Sequence, residues 1–186
     1  IQRVLAIPTK RYDKRQLHFL TRDEIDAILS CPDQSTWIGR RDYALLLLAV
    51  QTGLRLSELV GLDRDAVTLG RGANVRCVGK GRKERCTPLA KQSQAVLRSW
   101  MSRDLGPEPA ILFPSARGSR LSADGVQYLV AKHVATAARA CPSLTRKRVT
   151  PHVLRHTTAM ELLQAGVDRS VIAMWLGHES LETTQI

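Results

Sequence analysis

The sequence predicts a mainly α-helical domain that carries one small antiparallel three-stranded sheet, an α+β arrangement. Three observations carry that expectation. Apolar residues recur at helical spacing through most of the 186 residues, in segments opened by capping residues and closed by glycine. Short β-prone runs cluster between Asp65 and Leu89, around the glycine-rich stretch Gly79-Lys80-Gly81-Arg82-Lys83. The longest apolar run, Tyr43 to Val50, is far shorter than the ~20 residues a bilayer span needs.

Taken in order, residues 1–20 are basic and irregular (Lys10, Arg11, Lys14, Arg15) and read as a linker from an upstream domain. Thr21-Arg22-Asp23-Glu24 is a capping box, and Ile25, Ile28 and Leu29 follow on one helical face. Asp42 to Thr52 is a strongly apolar helix that Gly53 can close in the left-handed conformation. A short helix is expected from Ser57 to Gly61. Strands are expected at Asp65–Leu69, Asn74–Val78 and Glu84–Leu89. A two-residue turn at Gly81-Arg82 pairs Lys80 with Lys83 and Cys77 with Cys86. Lys91 to Arg103 is amphipathic, with Val96, Leu97, Trp100 and Met101 on one side. A proline-bearing loop fills Gly106 to Arg120. A long helix spans Ser122 to Ala140, and a basic connector spans Ser143 to Arg148. Thr150-Pro151 opens a helix that runs to Gly166, since proline is at home in a first turn. Asp168 to Leu176 is one more helix, closed by Gly177. A last helix begins at Ser180.

Hydrophobic content of 44% marks a globular chain. Lysine and arginine number 28 against 17 acids, for a formal charge of +11 and a pI near 10.2. That surplus points to a polyanionic partner, nucleic acid first. The four cysteines, Cys31, Cys77, Cys86 and Cys141, form no Cys-x-x-Cys pair, so they do not support a zinc ribbon or dithiol redox motif. They read as reduced thiols of a cytoplasmic protein. The chain opens without a signal-peptide pattern, and no membrane association is expected.

Four stretches bear chemistry. His152, Arg155 and His156 are three and four residues apart, on one face near a helix amino end. Unpaired backbone donors and the positive dipole at that end attract phosphate, and His152 is a candidate proton acceptor there. A buried histidine beside a solvated arginine accounts for the pentapeptide equally well when it is taken alone. Arg55 follows Gly53-Leu54, either as a surface arginine or as a phosphate fork oriented by Glu58 one turn on. Lys80 and Lys83 compete as the lysine of the hairpin, and His178 follows the capping Gly177. Two arginines, a lysine and two histidines can stabilise a phosphodiester transition state without metal. His152, His156 and His178 also have the makings of a zinc site, but Arg155 stands where a zinc hydrolase would place glutamate. Neither metal nor cofactor is expected.

Thr52 to Leu62, Gly79 to Arg85, His152 to His156 and Leu176 to His178, in that order, resemble the tyrosine recombinase (phage integrase) family, most closely its bacterial Xer-type members. The resemblance covers nearly all of the chain from Thr21 onward and implies that family's catalytic-domain fold. It implies Arg55 and Arg155 as the two arginines of the phosphate clamp, with Glu58 as the acidic companion of the first. Lys80 is implied as the general acid for the leaving 5′-hydroxyl, His152 as an aid to proton transfer, and His178 as a hydrogen-bond donor to the scissile phosphate. His156 takes a supporting position. The implied reaction is site-specific DNA recombination by strand cleavage and rejoining through a 3′-phosphotyrosyl intermediate, and the implied partner is double-stranded DNA. The full-length parent would form a tetrameric synaptic complex.

One departure bears on activity. The family's nucleophile is a tyrosine shortly after a Thr-Thr-Gln sequence. Here Thr183-Thr184-Gln185-Ile186 ends the chain, and Tyr12, Tyr43 and Tyr128 match no such position. Residues 21–186 are therefore expected to be a catalytic domain incomplete at its carboxyl end and lacking the nucleophile. Residues 1–20 would lead from a missing core-binding domain. The fragment is expected to be a monomer that binds DNA without cleaving it. A non-catalytic DNA-binding module is the alternative. Backbone contacts are expected from Arg82, Lys83, Arg146, Lys147 and Arg148, although solvated charge also accounts for them.

Overall fold

The computed structural model describes residues 19–79, 84–105 and 110–177. The expected α+β class is borne out: the helices pack mainly on one another, and one small three-stranded antiparallel sheet accompanies them. Helix α1 spans Arg22–Leu29. The Thr21 hydroxyl accepts from the Glu24 N–H, and the Glu24 carboxylate accepts from the Thr21 N–H. Both halves of the capping box are therefore present. Glu24 is buried, and it also accepts from the Ser143 hydroxyl and from Lys147 Nζ, each at 2.6 Å.

Helix α2, Trp37–Thr52, is the central strut and packs on α1, on α4 (Lys91–Arg103) and on α6 (Pro151–Gln164). Neighbours on several sides explain why its apolar run has no polar stripe, and Leu45, Leu46 and Leu48 are essentially inaccessible. It begins five residues earlier than the sequence suggests. Thr36 caps it by accepting from the Gly39 N–H at 3.0 Å, and Gly39 lies against the Asp33 backbone where a Cβ has no room. Its first turn is fastened by tertiary contacts. Arg40 forks onto Asp104 at 2.7–3.0 Å, and the Asp42 carboxylate takes Arg41 on one oxygen and His133 on the other.

Gly53 (φ 62°) ends α2, and α3 follows at Leu56–Gly61. The sheet runs β1 (Val67–Thr68), β2 (Asn74–Val78), β3 (Glu84–Pro88), all antiparallel in that order. The first strand is shorter than expected because Arg64–Ala66 form a 3-10 turn. The β2–β3 register differs by one residue from that of a two-residue turn. Cys77 faces Arg85, Arg76 faces Cys86, and Val78 faces Glu84. Residues directly opposite share a face, so burial sets the register. Val75 with Thr87, and Cys77 with Arg85, point inward as pairs. The alternative pairing of Cys77 with Cys86 would turn Arg85 to the exposed face.

Helix α5 is Ala123–Ala137, and Pro142–Arg146 form a second 3-10 turn that overlaps the predicted connector. Helix α7, Arg169–Leu176, packs on α6 and on β3, and Gly177 (φ 68°) ends it in the left-handed conformation. Lys80, Gly81, Arg82 and Lys83, residues 106–109, and everything from His178 to Ile186 lie outside the described residues. Among the described residues, no helix is long and apolar enough to cross a membrane.

Candidate phosphate-binding site

Two left-handed glycine caps, at the ends of α2 and α7, aim backbone carbonyls at arginines from distant parts of the chain. Arg155, in the second turn of α6, donates from Nη1 to the Gly53 carbonyl at 2.6 Å and from Nη2 to the Leu176 carbonyl at 2.7 Å. Arg55 donates from Nη2 to the Gly177 carbonyl at 2.6 Å. Arg85, on β3, donates from Nε to the Trp175 carbonyl at 3.1 Å. Three successive carbonyls at the end of α7 thus each hold a different guanidinium. That end carries the partial negative charge of the helix. The Trp175 indole N–H donates back to the Thr52 carbonyl at 3.2 Å, closing α7 onto α2.

Glu58, buried in α3, organises the same cluster. Its Oε1 accepts from Arg55 Nη1 at 3.0 Å and from Arg85 Nη1 at 2.6 Å. Its Oε2 accepts from the Arg55 backbone N–H at 2.7 Å and from Arg85 Nη2 at 2.7 Å. Arg55 and Glu58 therefore meet across a single turn, as their spacing suggested. Burial pushes the Glu58 carboxyl up, but Arg85 and then the Arg55 N–H outweigh it and hold the group below its ordinary 4.5.

Arg155 is buried, and among the described residues it forms no ion pair. Burial, followed by repulsion from Arg55, pulls it from 12.5 down to about 10. Glu58 acts in the opposite direction and is outweighed. Arg55 and Arg85 share the Glu58 carboxylate and Arg155 stands beside them without one, a surplus of two positive charges among the described residues. Such a cluster is left short of an anion.

The surplus borders open space. Arg55, His152 and Arg155 line a cleft of about 520 Å³ together with Thr150 and Gln127. Thr150 caps α6 by accepting from the Val153 N–H, so the amino end of that helix faces the cleft. His152 is exposed in its first turn, whereas His156 is half-buried. The expected shared face of His152, Arg155 and His156 thus spans a gradient from solvent to core. Arg55, Glu58, His152 and Arg155 come together. Lys80, Arg82, Lys83 and His178 lie outside the described residues. Arg146 and Arg148 are exposed, but Lys147 is tied to Glu24 and to the Phe19 carbonyl.

Arg85 and Gln127 were not among the expected site residues. Arg85 belongs to the Gly79–Arg85 stretch, but the one-residue slip in register hid its inward face. The inward alternation of Val75, Cys77 and Thr87 is the signal that could have found it. Gln127 carries no local signal.

The profile of the phage integrase family matches residues 18–186. A putative integrase/recombinase, y4rC, of Sinorhizobium fredii is 64% identical over 186 residues, which is all of this chain and 56% of the relative. Tyrosine recombinase XerD of Yersinia pestis is 38% identical over 172 residues, covering 90% of this chain and 56% of its own length. The chain therefore spans little more than half the length of these curated relatives. Among solved structures, the XerH site-specific recombinase bound to its difH substrate, a pre-cleavage complex, superposes with a TM-score of 0.77. Identity there is 29%, over 90% of this chain and 49% of XerH.

Proposed function

This chain belongs to the phage integrase family, and on that premise we propose that it is the catalytic part of a site-specific DNA recombinase. The observation that carries the reading is the surplus of guanidinium charge around Arg55 and Arg155, beside a cleft at a helix amino end. Arg55 and Arg155 hold the two non-bridging oxygens of the scissile phosphate. Glu58 orients Arg55. His152 moves a proton at the reacting oxygens, with His156 in support. Lys80 and His178 complete the clamp, with Lys83 the rival of Lys80. Arg82, Lys83, Arg146 and Arg148 meet the DNA backbone.

In the proposed step a tyrosine oxygen attacks phosphorus, a 3′-phosphotyrosyl bond forms and the bond from phosphorus to the 5′-oxygen breaks. The tyrosine gives up its proton and the 5′-oxygen gains one. Attack by a partner strand's 5′-hydroxyl reverses the step, so the phosphoester is conserved and no nucleotide is consumed. Exchange between two duplexes involves four strands, which suits a tetramer of the full-length protein. Residues 1–186 hold no tyrosine beyond Tyr128, and we place the nucleophile outside them. Residues 1–20 serve as the linker to a core-binding domain, and residues 21–186 as the catalytic domain.

A nicked suicide duplex tests the reading. Full-length protein is expected to form a covalent DNA adduct, and residues 1–186 to bind the duplex as a monomer without forming one. An adduct on residues 1–186 refutes the placement of the nucleophile. Full-length protein that binds tightly and never forms an adduct is a DNA-binding module instead.

A further inference from the structure

We propose that Arg85 is a positioning residue of the phosphate clamp, and that its charge neutralises Glu58 so that Arg55 keeps its own for the phosphate. This inference rests on the recombinase reading above. Arg85 is half-buried on β3 and makes a forked contact, with its two Nη atoms 2.6 and 2.7 Å from the two Glu58 oxygens. Its Nε reaches the Trp175 carbonyl, so the residue joins the sheet, α3 and α7 at one point. The fit is close, because a Cβ on Gly177 would come within 2.8 Å of Arg85 Nη1.

Charge explains why this matters for a phosphate. Glu58 has a single negative charge, and Arg55 touches it at 3.0 Å. Were Arg55 the only partner, the two would cancel and Arg155 alone would face the anion. The Arg85 guanidinium spans both oxygens, at 2.6 and 2.7 Å, whereas that of Arg55 touches only Oε1 at 3.0 Å, which leaves Arg55 and Arg155 as the unmatched pair. A forked guanidinium can bridge two oxygens and a carbonyl at once, whereas lysine offers a point charge. The Arg85–Trp175 bond also fixes the end of α7, from which the chain proceeds to His178.

The test uses full-length protein, wild type and Arg85→Met, Arg85→Lys, Glu58→Gln and the Arg85→Met/Glu58→Gln double variant. Single-turnover cleavage is timed on suicide duplexes carrying a phosphodiester or a methylphosphonate at the scissile position. The methylphosphonate lacks the charge the clamp must balance. Arg85→Met is expected to cleave the phosphodiester about 100-fold more slowly. On the methylphosphonate its defect should shrink to below about 10-fold, which a merely structural lesion would not produce. The double variant should be no slower than Arg85→Met alone, because a neutral Glu58 leaves nothing to offset. Should Arg85→Met fail to fold, Arg85→Lys decides. Keeping the charge predicts a defect below about 10-fold, and one above about 100-fold overturns the proposal. Wild-type rates in Arg85→Met, or equal losses on both substrates, overturn it too. A wild-type protein that forms no adduct overturns the recombinase reading with it. Wild-type adduct beside an unaffected Arg85→Met overturns this inference alone.

Discussion

Replacing Arg155 with methionine separates a structural arginine from a ligand-binding one. Arg155→Met removes two charge-assisted hydrogen bonds, to the Gly53 and Leu176 carbonyls. At about 1.5–3 kcal/mol each, that loss amounts to about 3–6 kcal/mol. The substitution also removes a buried cation that has no acidic partner among the described residues. Its depression from 12.5 to about 10 corresponds to about 3 kcal/mol of unfavourable burial and repulsion that would be relieved. The net cost is therefore about 0–3 kcal/mol, at or below the ~3–5 typical of breaking a buried ion pair. Cleavage should respond quite differently, falling by about 10²–10³ in full-length protein as one arm of the clamp is lost. Urea unfolding of residues 1–186 and suicide-substrate cleavage by the full-length protein supply the two numbers. A loss above about 5 kcal/mol with cleavage retained refutes the reasoning and makes Arg155 a fold residue.

Three further outcomes follow from the same geometry. Glu58 is held below 4.5 in the folded state, so its contribution to stability is present above that pH and is lost as pH falls through the folded value. Urea melts between pH 7 and 3 should therefore show Glu58→Gln losing less stability on acidification than wild type, and parallel profiles would contradict this. Gly177→Ala should cost about 1–2 kcal/mol for its positive φ and displace Arg85 as well. Gly166→Ala meets the same backbone strain with nothing within 4 Å, so thermal melts should fall for both while cleavage falls for Gly177→Ala alone. Lys147→Ala should lower stability and leave the salt dependence of DNA binding unchanged, because its ammonium is engaged by Glu24. Arg146→Ala or Arg148→Ala should each flatten the slope of log affinity against log salt by about 1. Equal slopes for all three variants would remove the distinction.

Much of the architecture was legible because it is locally encoded. The Thr21–Glu24 capping box, the apolar run in α2 and the glycine stops at Gly53 and Gly177 each state their role within a few residues. So did the Arg55–Glu58 contact, which needs only a one-turn spacing. The start of α2 was not legible, because Asp104 and His133 fasten it from elsewhere in the chain. The β2–β3 register departs from the sequence pattern because glycine in the hairpin suggests a tight turn, whereas the pairing obeys the inward faces of Val75, Cys77 and Thr87. That slip concealed Arg85. The burial of Arg155 was hidden as well, since the carbonyls that receive it lie 102 and 21 residues away in sequence. Nothing local separates Lys147 from its basic neighbours, because its partner Glu24 lies 123 residues away in sequence.

The central claim is that guanidinium groups far apart in sequence meet around one phosphate. Nitrogen-15 NMR of the arginine side chains reports this most directly, following Arg55 and Arg155 in residues 1–186 during titration with a short DNA duplex. Both guanidinium signals are expected to shift along a single binding curve. Shifts confined to Arg146 and Arg148, with Arg55 and Arg155 unmoved at saturation, would contradict it.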